Sequence, residues 1–437
     1  MKKLMLLIGC GAVAGFAFGA GVPQVSEIRW SQDHDTRAVT IRYKLDMPAV
    51  VTMDVLTNGV SIGMENVSAG LSGDVHRLVD DDGTGQDHII TWGKPYESWL
   101  AEASRHSNAT VRVTAWATNA PPDWLVIDLT ASCSVAYYET TNAFPVAFGD
   151  DRYRTTHLVM RKIPAKFVRW RMGECYMNEN SIYDDWYVRV QRHVTLTKDF
   201  YMGVYLVTQR QYELVTGSRP SKFSLDSCYQ VRPVDAVSYN ALRGNANGAR
   251  WPNDDPAIAH DVDSWSAIYK FRELTGLGRY LDLPTDAQWE FACRAGTTSG
   301  LYTGVDAADS AALLNPIART GKNSGTTSNH EPSDAATADT NKYTAAVGMY
   351  QPNAWGLYDM YGNLREWCLD WEYADKYSGP TDECVDPVGP ATGSARMKRG
   401  GAYCDGYRQC RSAFRSRQGP SNGYCVDGFR LCLTLDR

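Results

Sequence analysis

Leu283-Pro-Thr-Asp-Ala-Gln-Trp-Glu-Phe-Ala-Cys-Arg-Ala-Gly296 reads as a short, well-capped helix. Thr285 is placed as its N-cap, and Gln288 stands three residues on, the spacing of a reciprocal capping box. The pattern predicts a helix over Pro284–Arg294. Two further segments read alike. Thr208–Thr216 begins on a capping threonine and stops at Gly217. Ser264–Thr275 offers Trp265, Ile268, Tyr269 and Phe271 as an apolar face. Other helical signals are few, so strands and loops are expected to fill the rest of this half of the chain.

The composition suits that picture. The chain has 437 residues, with 13 Trp, 25 Tyr and 37 Gly. Aromatic rings in such number fill the irregular gaps left between short strands and long structured loops. This length admits two to three domains. A net charge of −6 without a basic run argues against nucleic acid as a partner.

Upstream, Val25 to about Leu129 alternates apolar and polar residues with period two. Ala38–Lys44, Val50–Val55 and Thr110–Trp116 each place apolar groups on one face, as half-buried antiparallel strands do. Asn58-Gly59 and Asp82-Gly83 supply turns. About seven such strands in about 105 residues predict a β-sandwich of immunoglobulin or fibronectin type III over residues 24–130. Residues 131–155 are expected to be a linker. The polar stretch from Gly321 to Lys342 is read as a surface loop of the following domain, 156–437.

Residues 1–20 read as an export signal. Lys2 and Lys3 form a charged start, Leu4–Phe18 an apolar stretch, and Gly19-Ala20 a small-residue cleavage site. The stretch is too short and too rich in glycine for a membrane span. Export to the periplasm or the extracellular space is expected, with acylation at Cys10 as the alternative. Loss of Cys10 leaves ten cysteines, an even set that an oxidising compartment would pair. The sequence leaves open the pairing of Cys133, Cys175, Cys228, Cys368, Cys384, Cys404, Cys425 and Cys432. No CxxC occurs, and the histidines do not cluster with cysteines at zinc spacing.

Seven collinear segments carry a resemblance. They are Val194–Gln209, Arg232–Tyr239, Leu283–Gly296, Asn353–Trp367, Arg399–Tyr403, Cys410–Arg415 and Gly428–Arg430. In this order they resemble the sulfatase-modifying-factor, or formylglycine-generating-enzyme-like, family. The resemblance implies a C-type-lectin-like α+β fold with little regular secondary structure.

It also implies a test of chemistry. The family's founding activity oxidises a sulfatase cysteine to formylglycine with oxygen and copper, using two nearby thiols after a Gly-Gly motif. Cu(I) favours such soft thiolate ligands. Cys410 matches the family's structural cysteine, but five residues before it stands Asp405. Cys404 is the other thiol of this short loop. The resemblance therefore implies a divergent member without the copper pair, acting in binding or assembly of protein or glycan. The alternative is a copper oxidase using Cys404 as its catalytic residue, with an exported sulfatase as the partner.

Other expectations follow from the same resemblance. Asp359, Gly362, Leu364 and Glu366 match a calcium loop, two carboxylates and two carbonyls for a structural ion. Cys293 and Cys410 match a disulfide. A second bridge is not reproduced, since its positions fall at Lys270 and Leu431, and Cys432 is assigned to Cys368 instead. Arg415 and Arg430 match buried arginines that hydrogen-bond carbonyls. Arg396, Lys398 and Arg399 are read as a solvated cluster, and Trp355, Tyr358, Trp367 and Trp371 as core packing.

Overall fold

The computed structural model describes residues 22–62, 67, 70–81, 85–93, 109–118, 120–130, 133–173, 191–224, 227–305, 311–326, 342–372 and 383–435. The expected signal with Cys10, the Asp82-Gly83 turn, Cys175 and most of the Gly321–Lys342 loop lie outside the described residues. No described helix is long and apolar enough to cross a membrane.

The described residues form two compact units. The first comprises those up to Val126 together with Val135–Asp150. The second comprises Ile127–Ser134 and the chain from Asp151 onward. The segment read as a linker thus divides between them.

The first unit is antiparallel β. One sheet orders Val25–Gln32, Val39–Leu45, His88–Trp92 and Leu71–Gly73. The other pairs Ala49–Thr57 with Val60–Ser61, Arg77–Val79 and Ala109–Trp116. Alternation places Ile41, Tyr43 and Leu45 from one sheet and Val51, Met53 and Val55 from the other in a shared apolar cluster. Asn58 and Gly59 close a hairpin with φ of +52° and +79°, the left-handed pair that a two-residue turn requires.

The second unit is mostly short strands with few helices. His157–Ile163, Phe200–Gly203, Cys432–Thr434 and Leu281–Asp282 are consecutive antiparallel neighbours. Arg365–Trp371 pairs antiparallel with Arg396–Arg399, which pairs with Arg415–Gln418. Three helices fall where the sequence placed them. Gln209–Thr216 has a capping box of Thr208 and Gln211 and ends at Gly217, φ +74°. Asp286–Arg294 has the expected box of Thr285 and Gln288. Ala267–Thr275 starts later than expected, because Ser266 caps it. Ile268 and Phe271 form its buried face, while Trp265 precedes it and is exposed.

One expectation is corrected here. Arg396, Lys398 and Arg399 are buried, not solvated. The guanidinium of Arg396 lies 3.3 Å from the centre of the Trp371 ring and donates to the carbonyls of Trp251 and Leu369. Lys398 pairs with Asp427 at 2.6 Å. Arg399 pairs with Asp286 and, at 2.9 Å, with Glu290. Arg415 joins the same acids, 2.9 Å from Asp286. Charges out of water persist only when paired or hydrogen-bonded, and here Asp286 and Glu290 each meet more than one base. Trp367 is fully buried, in keeping with core packing, while Trp355, Tyr358 and Trp371 are half-buried.

Candidate functional site

The strand Arg396–Arg399 runs into Gly400 and Gly401, with φ of +89° and +75°. A Cβ on Gly401 would stand 2.9 Å from Cys410 Sγ and from the Gln409 carbonyl, so the turn admits glycine only. It delivers Ala402-Tyr403-Cys404 into an apolar cluster with Leu206, Phe223, Leu364, Cys425 and Val426.

Cys404 is buried, its Sγ 4.0 Å from Asp405 Oδ1. Burial pushes its thiol up to about 12; Asp405 adds to this and Arg365 opposes it. The group is therefore a protonated thiol at neutral pH, not the thiolate that nucleophiles and metal ligands require. Asp405 is committed elsewhere. It accepts from Arg365 Nε at 2.9 Å and from a terminal Arg365 nitrogen at 2.7 Å, and it also accepts the Ala402 N–H at 2.9 Å. A carboxylate spent on a bidentate arginine pair is a structural brace. Cys404 with Asp405 does not fit Cu(I), which needs paired soft ligands.

A second thiol shares the cluster. Cys425 is buried with its Sγ 3.4 Å from the Tyr403 hydroxyl. Aromatic rings wall this place: Phe223 stacks on Tyr343 at 4.7 Å, and Tyr403 meets both edge-on.

Asp235 was not singled out by sequence reasoning, although it lies within the quoted segment Arg232–Tyr239. It is fully buried, and one oxygen accepts the Lys222 N–H at 2.8 Å. Its Oδ2 has no partner among the described residues. Burial pushes the carboxyl up to about 7 against the pull of backbone N–H groups, Ser221 and Arg232. An acid within the apolar run Val234–Val237 was the available signal.

The expected calcium quartet lies on the loop entering Arg365–Trp371. Gly362 has φ +69°, and a Cβ there would lie 1.9 Å from the Arg319 carbonyl. Glu366 Oε2 accepts from Trp289 Nε1 at 2.8 Å and Arg430 Nε at 3.0 Å, and Oε1 accepts from Arg430 at 2.8 Å. Arg430 donates onward to the carbonyls of Gly203, Val204 and Tyr358. Its burial and carbonyl bonds are those expected of it, with Glu366 as a further partner. Asp359 accepts the Gly348 N–H at 2.7 Å, and burial pushes its carboxyl up to about 6. Three of the four acceptor positions on Glu366 are occupied, and a guanidinium already supplies the positive charge. Asp359, Gly362, Leu364 and Glu366 do not fit a calcium site, because Arg430 holds the acid that the ion would need.

Among the described residues, Cys293, Cys368, Cys410 and Cys432 carry no disulfide. Cys293 and Cys410 share one apolar cluster, with Cys293 Sγ 3.8 Å from Ser412 Oγ, but the expected bridge is not formed. Cys368 and Cys432 belong to that cluster too, likewise unbridged. Cys432 Sγ lies 3.8 Å from Gln288 Oε1.

The sequence model described as "sulfatase-modifying factor enzyme 1-like domain" matches residues 159–435. The formylglycine-generating enzyme of Streptomyces coelicolor is 38% identical over 205 residues, covering 44% of this chain and 60% of that protein. The chain thus matches less than two thirds of that relative's length. The chaperone protein LppX of Paenibacillus barcinonensis is 32% identical over 213 residues, 46% of this chain and 69% of its own. Among solved structures, Treponema denticola variable protein 1 aligns with a TM-score of 0.44 at 24% identity, covering 64% of this chain and 95% of that one. By the extent of the family match, which takes in both the glycine turn and the buried ion-pair core, this chain belongs to the sulfatase-modifying-factor family.

Proposed function

We propose that this chain is an exported member of the family that binds or helps assemble a protein or glycan ligand and does not generate formylglycine. The observation that carries this reading is Asp405. It stands where the second thiol of a copper pair would be, and it is locked by Arg365 and the Ala402 N–H. Cys404 beside it is held as a thiol by burial. A relative named a chaperone, matched over most of its own length, is consistent with a binding role within the family. The first unit, read as an immunoglobulin-like sandwich, would then be a spacer or adhesion module.

The test supplies copper, reductant, oxygen and a cysteine-containing sulfatase peptide to the full chain, then seeks the aldehyde by mass. No conversion is expected. Turnover that disappears in Cys404→Ser would overturn the reading. Loss in Cys425→Ser as well would identify the thiol pair as Cys404 with Cys425, which share the aromatic-walled cluster.

A further inference from the structure

Lys398 is the only buried lysine among the described residues. Its Nζ lies 2.6 Å from Asp427 Oδ1, and the two side chains are 1% and 0% exposed. The pairs around it are made by arginines, whose guanidinium stays protonated in any protein setting. A lysine amine is different, because out of water it can give up its proton and become a nucleophile.

The sheet brings the two groups together. The strand Arg365–Trp371 lies between Arg396–Arg399 on one side and Asp427-Gly428 on the other. Trp367 is in register with Lys398, and Arg365 with Asp427. Residues two apart share a face, so these four side chains stand on the same side of the sheet. Lys398 reaches across the intervening strand to the carboxylate, with the Trp367 ring centre 5.1 Å from its Nζ. The carboxylate is held for it, since its other oxygen accepts the Tyr424 N–H at 3.3 Å.

The surroundings favour an amine over an ammonium. An ammonium has three protons to donate, and among the described residues Asp427 is the only hydrogen-bond acceptor that meets Nζ. Burial pushes the Lys398 ammonium below the usual lysine range; Asp427 opposes this, and Arg365 adds to it. A nitrogen at hydrogen-bond distance from one carboxyl oxygen stands roughly 3–3.5 Å from the carbon that bears it, the separation of a near-attack arrangement.

We propose that Lys398 and Asp427 condense to an intramolecular isopeptide bond, which ties the strand Arg396–Arg399 to Asp427-Gly428 across Arg365–Trp371. The ammonium first passes a proton to the carboxylate, leaving an amine beside a carboxylic acid. Nζ then adds to the Asp427 side-chain carbonyl carbon, and a nitrogen proton departs with the acid hydroxyl as water. One N–C bond forms, one C–O bond breaks, and the two charges cancel. No oxidant, metal or co-reactant enters. An uncharged amide also removes the desolvation cost that a buried ion pair carries. The bond closes a loop of 29 residues that includes the glycine turn, so it braces the segment carrying Cys404 and Cys425. It is independent of the reading proposed for that segment.

The test is the mass of the full chain, folded, then denatured and reduced so that disulfides do not contribute. The wild type is expected to be lighter by one water than its sequence. Its protease digest should contain a branched peptide in which Lys398 is joined to Asp427. Lys398→Arg keeps the charge and the partner but cannot form the bond, so it should show the full mass. The branched peptide is read on the wild type alone and decides the matter even if Lys398→Arg does not fold. A wild type of full mass without that peptide would overturn the proposal. So would a water loss that persists in Lys398→Arg and is reversed by hydroxylamine, which would assign a succinimide at Asp427-Gly428 instead.

Discussion

Asp235 is an acid whose environment favours its neutral form, and that preference has a measurable sign. Its carboxyl titrates at about 7 in the folded protein, against about 3.9 in an unfolded chain. Between those values the folded state binds the extra proton, so this group lowers stability as pH rises from about 4 to 7 and by a constant amount above. Asn has no proton to lose and can still accept the Lys222 N–H. Asp235→Asn should therefore gain on the wild type by on the order of 3 kcal/mol between pH 4 and pH 8. Urea denaturation at several pH values reads this directly. Parallel curves for the two proteins would show that Asp235 is ionised in the native state. Residues like this are hard to read from sequence, because their environment is assembled from distant segments. Arg399 meets Asp286 across 113 positions, and Lys398 meets Asp427 across 29. Composition alone presents Arg396-Met-Lys-Arg399 as a basic surface run, and nothing local reveals the acids that take it inside.

At the scale of elements, what was legible was what is local. Thr285 and Gln288 sit three residues apart and satisfy each other within one turn, so the helix start could be read from its own letters. Gly217 and the Asn58-Gly59 turn are likewise short-range. The loop of Asp359–Glu366 is different, because its chemistry depends on an arginine 64 residues downstream of Glu366. The ligand pattern is present in the sequence, while Arg430, which answers Glu366, lies on another segment. Calcium and chelator should consequently leave the melting curve of the wild type unmoved. Arg430→Gln should cost about 3–5 kcal/mol, the usual consequence of leaving a buried carboxylate without its partner. Both are read by thermal and urea unfolding followed by circular dichroism. A melting temperature that rises with calcium and falls with chelator would return Asp359 and Glu366 to an ion.

On the scale of the whole molecule, the chain does not pass from one unit to the other at a single point. Ile127–Ser134 belongs to the second unit, and Val135–Asp150 returns to the first. Both excursions are anchored. Ile127 and Leu129 are buried, and the Leu129 N–H donates to the Thr156 carbonyl at 2.8 Å. Tyr138 and Phe144 are buried in the first unit, the former against His76 and both against each other. The alternating pattern of residues 24–130 revealed the strands of the first unit. It could not reveal that a segment without such alternation supplies one of its walls. A cut at Val126 removes two large aromatic side chains from the first unit, each worth roughly 1.5–3 kcal/mol of burial. A cut at Asp150 strips Ile127 and Leu129 from the second by the same reasoning. Fragments 22–150 and 127–437, which overlap, should each unfold cooperatively. Fragment 22–126 should be less stable than 22–150 by roughly 3–6 kcal/mol, and 151–437 less stable than 127–437 by a similar amount. Urea midpoints of the four fragments decide it. Equal midpoints for 22–126 and 22–150 would mean that Val135–Asp150, with the buried Tyr138 and Phe144, contributes nothing to the stability of the first unit.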